Sequence, residues 1–130
     1  MAILGKFEPQ VYAIARIVTG FLFLLHGSQK LFNAPAGAGP KPALLSLFGI
    51  GGIIEFVGGA LIMLGLFASI AAFISCGQMA VAYFMVHQPN GALPIMNRGD
   101  SAVLFCFIFF YVAARGSGIW SVDSLREGDG

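Results

Sequence analysis

From Gly49 to His87 the chain runs for 39 residues with a single charged side chain, Glu55. About 20 helical residues span the hydrocarbon core of a bilayer, so this run is too long for one crossing and must fold back on itself. The uncharged stretch Gly65-Leu66-Phe67-Ala68-Ser69 is where the break is expected. Apolar segments separated by Pro- and Gly-rich connections predict four helices, from about Val11 to Phe32, Leu44 to Leu66, Ser69 to His87 and Asp100 to Trp120. Pro9 suits the first turn of the first helix. The loop from Asn33 to Pro42 holds three Pro and two Gly, which end any helix there. A second loop, Gln88 to Gly99, carries Pro89, Asn90-Gly91 and Pro94. Four helices with short connections imply an up-down-up-down bundle, all-α and integral to the membrane, in one domain over residues 1–130.

Composition agrees with the pattern. Hydrophobic residues make up 58% of the chain and charged residues 10%, against roughly 25% in a soluble domain. A formal charge of +1 without a basic cluster argues against nucleic acid as a partner. The first apolar run is full length and follows Lys6 and Glu8, so it is expected to stay as a helix rather than serve as a signal peptide. An even number of crossings puts both termini on one side, called end A. Lys6, Arg115 and Arg126 fall there, against Lys30, Lys41 and Arg98 at the opposite end B. This near balance gives little orientation, and the placement of Lys6 and Arg16 at the start of the first helix favours cytoplasmic termini.

A carboxylate near the middle of a bilayer costs at least about 2.5 kcal/mol on insertion scales, so Glu55 marks where function gathers. Depth counting puts Arg16 roughly 8 Å in from end A. His26 and Glu55 fall in the middle third, and Lys30, His87, Asn97, Arg98 and Asp100 gather at end B, with Tyr83 and Gln78 between. Such groups must point into the bundle and find partners. The expectation is a polar pocket of Arg16, His26, Lys30, Glu55, Tyr83 and His87, entered from end B. Arg16 or His26 is expected to reach Glu55. Gly51, Gly58 and Gly65 recur every seventh residue on the face that carries Glu55, and with Gly59 they invite close helix packing.

Each of these residues also has a structural reading. Arg16 and Glu55 could be an ion pair that fixes helix register, and His26 a packed, hydrogen-bonded side chain. Lys30 could extend to the headgroups, and His87 could be a helix-end residue. No Cys-x-x-Cys-His motif supports haem, and no ligand cluster supports a metal. Cys76 and Cys106 lack Cys-x-x-Cys spacing, and their expected depths differ by up to roughly 10 Å. They read as small buried hydrophobes rather than as a disulfide.

The order Arg16-(3)-Gly20-(2)-Phe23-(2)-His26-Gly27-(2)-Lys30-Leu31-Phe32 resembles the first helix of the DoxX family of small bacterial membrane proteins. Gly52-(2)-Glu55-(2)-Gly58-Gly59-(5)-Gly65 is similar to its second helix, Ala82 and His87 to its third, and Asn97-(1)-Gly99-Asp100 to the approach to its fourth. The ending Gly116-(1)-Gly118-(1)-Trp120-Ser121-(1)-Asp123 matches as well. Arg98 interrupts the Asn-Gly-Gly-like turn of the family, and Asp100 supplies its acid. The resemblance implies a four-helix protein of the bacterial cytoplasmic membrane, with members associated with thiosulfate or thiol oxidation and quinone reduction.

Three function classes follow. A subunit of a membrane redox complex would use the end B pocket for a quinone headgroup, with Glu55 or His26 exchanging protons. An assembly subunit would pack its glycine faces, Gly59 included, and its phenylalanines on larger membrane partners or on a second copy. A small-molecule carrier is the third class, for which no inverted repeat is visible. No flavin or nicotinamide loop and no nucleophile with its base is present in the sequence, so the chain is expected not to be an enzyme on its own.

Overall fold

A computed structural model describes residues 1–37 and 39–127. Ala38 of the first loop and Asp129 of the polar tail lie outside the described residues. The fold is all-helical, with no strand among the described residues. The long helices are α1 (Glu8–Phe32), α2 (Leu47–Leu64) and α3 (Ala68–Ala82), the last continuing through a π-helical turn (Tyr83–His87). After a short α4 (Pro94–Asn97) come α5 (Asp100–Arg115) and α6 (Val122–Arg126). Three stretches, Gly5–Phe32, Leu47–Leu64 and Ala68–Asn90, are long and apolar enough to cross a membrane. At 16 residues α5 spans only about 24 Å, short of a hydrocarbon core of about 30 Å.

The helix ends follow local chemistry. Ser46 caps α2, its hydroxyl accepting from the Gly49 amide at 3.1 Å, so the helix starts at Leu47 rather than Leu44. It stops at Gly65, whose φ of +69° is the left-handed conformation that glycine adopts without cost. Asn33 closes α1 in the same way, at φ +52°. The last long helix ends at Arg115 and not at Trp120. Gly116 and Gly118 both take positive φ, and the chain turns back across the end of the bundle.

Glycines set the tightest seam. Gly20 and Gly59 face one another across α1 and α2, where a Cβ on Gly59 would meet the Gly20 carbonyl oxygen at 2.7 Å. Gly27 faces Gly52 and Phe56 farther along, so the two helices run antiparallel with their backbones close together. Gly51 and Gly58 look the other way, towards Gln78 and Ser75 of α3. Gly59 is thus an internal packing residue, which corrects its reading as a surface for partners.

At end A the tail is tied to the α2–α3 turn. The Phe67 amide donates to Asp123 Oδ2 at 2.9 Å, the Asp123 amide donates to the Gly65 carbonyl at 3.0 Å, and Arg126 lies 4.7 Å over the Phe67 ring. Glu8 pairs with Arg115 at 2.9 Å, so the start of α1 shares that end. In the core, Phe23 of α1 meets Phe109 and Phe105 of α5 at 4.7 and 5.4 Å between ring centres.

Candidate functional site

Glu55 sits in the middle of α2 and is 1% exposed. Its Oε2 accepts from Lys30 Nζ at 2.7 Å and from Gln78 Nε2 at 3.1 Å. The partner is therefore Lys30, which corrects the expectation of Arg16 or His26. Register explains the difference. Because α1 and α2 are antiparallel with Gly27 beside Gly52, the stretch of α1 that faces Glu55 is the one around His26 and Lys30. Lys30 belongs to the last turn of α1, and its long flexible stem folds back to the acid.

Arg16 lies at the far end. It is 0% exposed, and its guanidinium meets only backbone carbonyls in the hydrogen bonds it forms. Nε donates to Ile62 at 3.0 Å, Nη1 to Ser117 and to Ile119 at 3.2 Å, and Nη2 to Trp120 at 2.9 Å. A rigid fork of donors suits several carbonyls arranged round one plane. Arg16 thus fastens the turn after α5 onto α1 and α2, and it is not part of the pocket.

The pocket itself is a cavity of about 140 Å³ walled by Phe23, His26 and Lys30 of α1, Glu55 of α2, His87 of the π-helical turn and Phe105 of α5. His26 stands at its rim, exposed, edge-on to the Phe105 ring at 5.7 Å, and it makes no hydrogen bond among the described residues. It is thus neither the packed, hydrogen-bonded histidine of the structural reading nor a ligand of Glu55. His87 Nδ1 lies 3.2 Å from the Asn97 carbonyl oxygen, which orients its ring. π-helical turns recur at functional sites, because the extra residue re-aims the side chains that follow.

Tyr83 and Asn97 belong to the supporting frame. Asn97 is 4% exposed; its Nδ2 donates to Tyr83 Oη and to the Gly91 carbonyl, each at 3.1 Å, and its Oδ1 accepts from the Gly99 amide at 2.9 Å. This single amide holds the loop before α5 against the end of α3. Arg98, at φ +61°, and Asp100 are exposed, Asp100 in the first turn of α5 where an acid complements the helix dipole. Neither lines the cavity.

A polar feature missed from the sequence is an excess of buried acceptors. Glu55 Oε1, Gln78 Oε1 and Ser75 Oγ are buried and have no hydrogen-bond partner among the described residues. Gln78 was legible as a lone amide in an apolar helix. Its pairing with Glu55 depends on the α2–α3 register and was not. Beside these groups a second cavity of about 290 Å³ lies between α2 and α3, walled by apolar side chains such as Ile50, Ile54, Ile74 and Val81. Lys30 lines both cavities. Among the described residues no three His, Cys, Asp or Glu side chains cluster as metal ligands would.

Cys76 and Cys106 depart furthest from expectation. Their sulfurs are 3.6 Å apart across the α3–α5 seam. Carrying α5 on to Trp120 places Cys106 about 7–8 Å too deep, and ending the helix at Arg115 removes that offset.

The sequence model of the DoxX family matches residues 11–88, a span that holds every pocket-lining residue named above except Phe105. A protein of Haemophilus influenzae, described as uncharacterized, is 38% identical over 130 residues, which cover 93% of this chain and 94% of its own length. An uncharacterized membrane protein of Mycobacterium tuberculosis is 31% identical over 134 residues, covering 88% of this chain and 80% of its own. No solved structure matches.

Proposed function

This chain belongs to the DoxX family, and from that premise we propose that it is the ligand-holding subunit of a redox complex in the bacterial cytoplasmic membrane. In this reading α5 is the fourth crossing, lengthened at each end by its flanking turns, and both termini face the cytoplasm. The ligand is a quinone headgroup in the cavity beside Glu55.

The observation that carries the reading is the unpartnered Glu55 Oε1. A buried acceptor without a hydrogen bond costs about 1–3 kcal/mol and calls for a donor from elsewhere. A hydroxyl on a ring in the adjoining cavity would supply it. The residues present fit such a group. Dry cavities of about 150 Å³ accept a benzene ring, close to the 140 Å³ here, and Phe23 and Phe105 offer aromatic faces. The Lys30 ammonium has donors beyond the one spent on Glu55. His26 and His87 bring imidazole nitrogens, which can donate or accept hydrogen bonds, to the cavity wall. The apolar groove between α2 and α3 adjoins the headgroup cavity through Lys30 and suits an isoprenoid tail.

Bound, a quinone supplies two-electron, two-proton chemistry. The chain's share is to bind the ring, hold it against the wall that Phe23 and Phe105 contribute and exchange its protons, while a partner subunit supplies the electrons. The glycine faces of α1 and α2, which an assembly subunit would offer to partners, are spent here between α1, α2 and α3. Purification in mild detergent, followed by mass spectrometry and an absorption spectrum, tests the proposal. Redox subunits and extractable quinone are expected together. A chain that purifies alone and free of quinone overturns it.

A further inference from the structure

We propose that Cys76 and Cys106 form a reversible thiol–disulfide site within the membrane, one that ties α3 to α5 when oxidised. Both cysteines are free and half-buried, and their sulfurs already touch at 3.6 Å. Two contacts hold the helix register on either side of them. The Ser69 hydroxyl donates to the Ala113 carbonyl at 2.6 Å towards end A, and Asn97 bonds Tyr83 towards end B. The thiols are thus held face to face rather than meeting by chance motion. A disulfide needs the sulfurs about 1.5 Å closer, since the S–S bond is about 2.05 Å, and rotation about the two χ1 bonds can deliver that approach.

The step balances as follows. Two S–H bonds break and one S–S bond forms. Two electrons and two protons pass to a lipid-soluble acceptor of the azo or quinone class, which becomes the hydrazine or hydroquinone. A membrane-permeant dithiol reverses it by exchange. The bond would lie beside the cavity, because Met79 lies one turn from Cys76, Phe105 is the neighbour of Cys106, and both wall that cavity. The site stands on the sulfur geometry alone and does not depend on the ligand proposed above.

The test uses the full chain in lipid vesicles, treated with the azo oxidant diamide, then unfolded and alkylated with a maleimide. The expected result is joint loss of both alkylatable thiols, an intact monomer lighter by two hydrogens, and one linked peptide pair containing Cys76 and Cys106. Dithiothreitol should restore both thiols. Cys76→Ser and Cys106→Ser should each keep one alkylatable thiol and show no internal link. Two thiols still free in the oxidised wild-type chain, or links found only between chains, would overturn the proposal.

Discussion

Lys30 Nζ lies 2.7 Å from Glu55 Oε2, and the two partners are unequally buried: the lysine side chain is 30% exposed and the glutamate side chain 2%. The inequality makes the pair asymmetric to mutation. If Glu55 is removed, Lys30 can swing its ammonium towards the headgroups at end B. If Lys30 is removed, Glu55 stays buried with only the Gln78 amide. Breaking a buried pair costs about 3–5 kcal/mol in soluble proteins and less where the unfolded state in lipid also finds partners. Lys30→Ala is therefore expected to lower the melting temperature more than Glu55→Ala does. Thermal unfolding of both variants in one detergent checks this, and the reverse order would mean that Lys30 carries no part of the acid's burial.

The sequence revealed the helices, because about 20 apolar residues can do little else in a membrane. It also identified Glu55 as the expensive group. It did not reveal which cation answers it. Arg16 and Lys30 both lie on the first helix with Glu55 between them in depth, and only the register of Gly20 on Gly59 and Gly27 on Gly52 decides. Cys76 and Cys106 were obscured in the same way, by the five residues from Gly116 to Trp120 that leave the helix. Gly116 and Gly118 at the break were visible, but the carbonyls they turn towards Arg16 come from a fold of the chain that no period announces.

Those glycines of α1 and α2 give the second prediction. A Cβ on Gly59 would lie 2.5 Å from the Leu24 amide nitrogen, whereas one on Gly77 would meet nothing within 4 Å. Gly59→Ala should cost about 1–3 kcal/mol through overpacking. Gly77→Ala should be neutral or stabilise by up to about 1 kcal/mol, since alanine is the better helix former. Paired thermal melts decide, and equal losses would show that the α1–α2 seam is looser than its geometry.

Arg16 gives a third. Its guanidinium reaches carbonyls on α2 and on the turn after α5 at once, a span that a single ammonium cannot match. Arg16→Lys is expected to release the segment from Gly116 to Trp120, since hydrogen bonds to charged groups are worth about 1.5–3 kcal/mol each. Limited proteolysis should then show new cleavage between Arg115 and Val122, with the cavity at the opposite end unaffected. An unchanged digestion pattern would mean that the Asp123 contacts alone hold the tail.

His26 separates a binding pocket from a packing defect. It is exposed at the cavity rim and, among the described residues, makes no hydrogen bond whose loss would unfold the chain. His26→Phe keeps an aromatic ring against Phe105 and removes the ring nitrogens. Stability should therefore stay within about 0.5 kcal/mol of the wild type. Affinity for a short-chain quinone, measured by calorimetry on the protein in nanodiscs, should fall. Losing one hydrogen bond of about 0.5–1.5 kcal/mol corresponds to roughly a 2- to 10-fold weaker Kd. If stability and binding fell together, His26 would be holding the fold. If neither moved, the quinone would not be touching this rim, and the unpartnered oxygen of Glu55 would need a different donor.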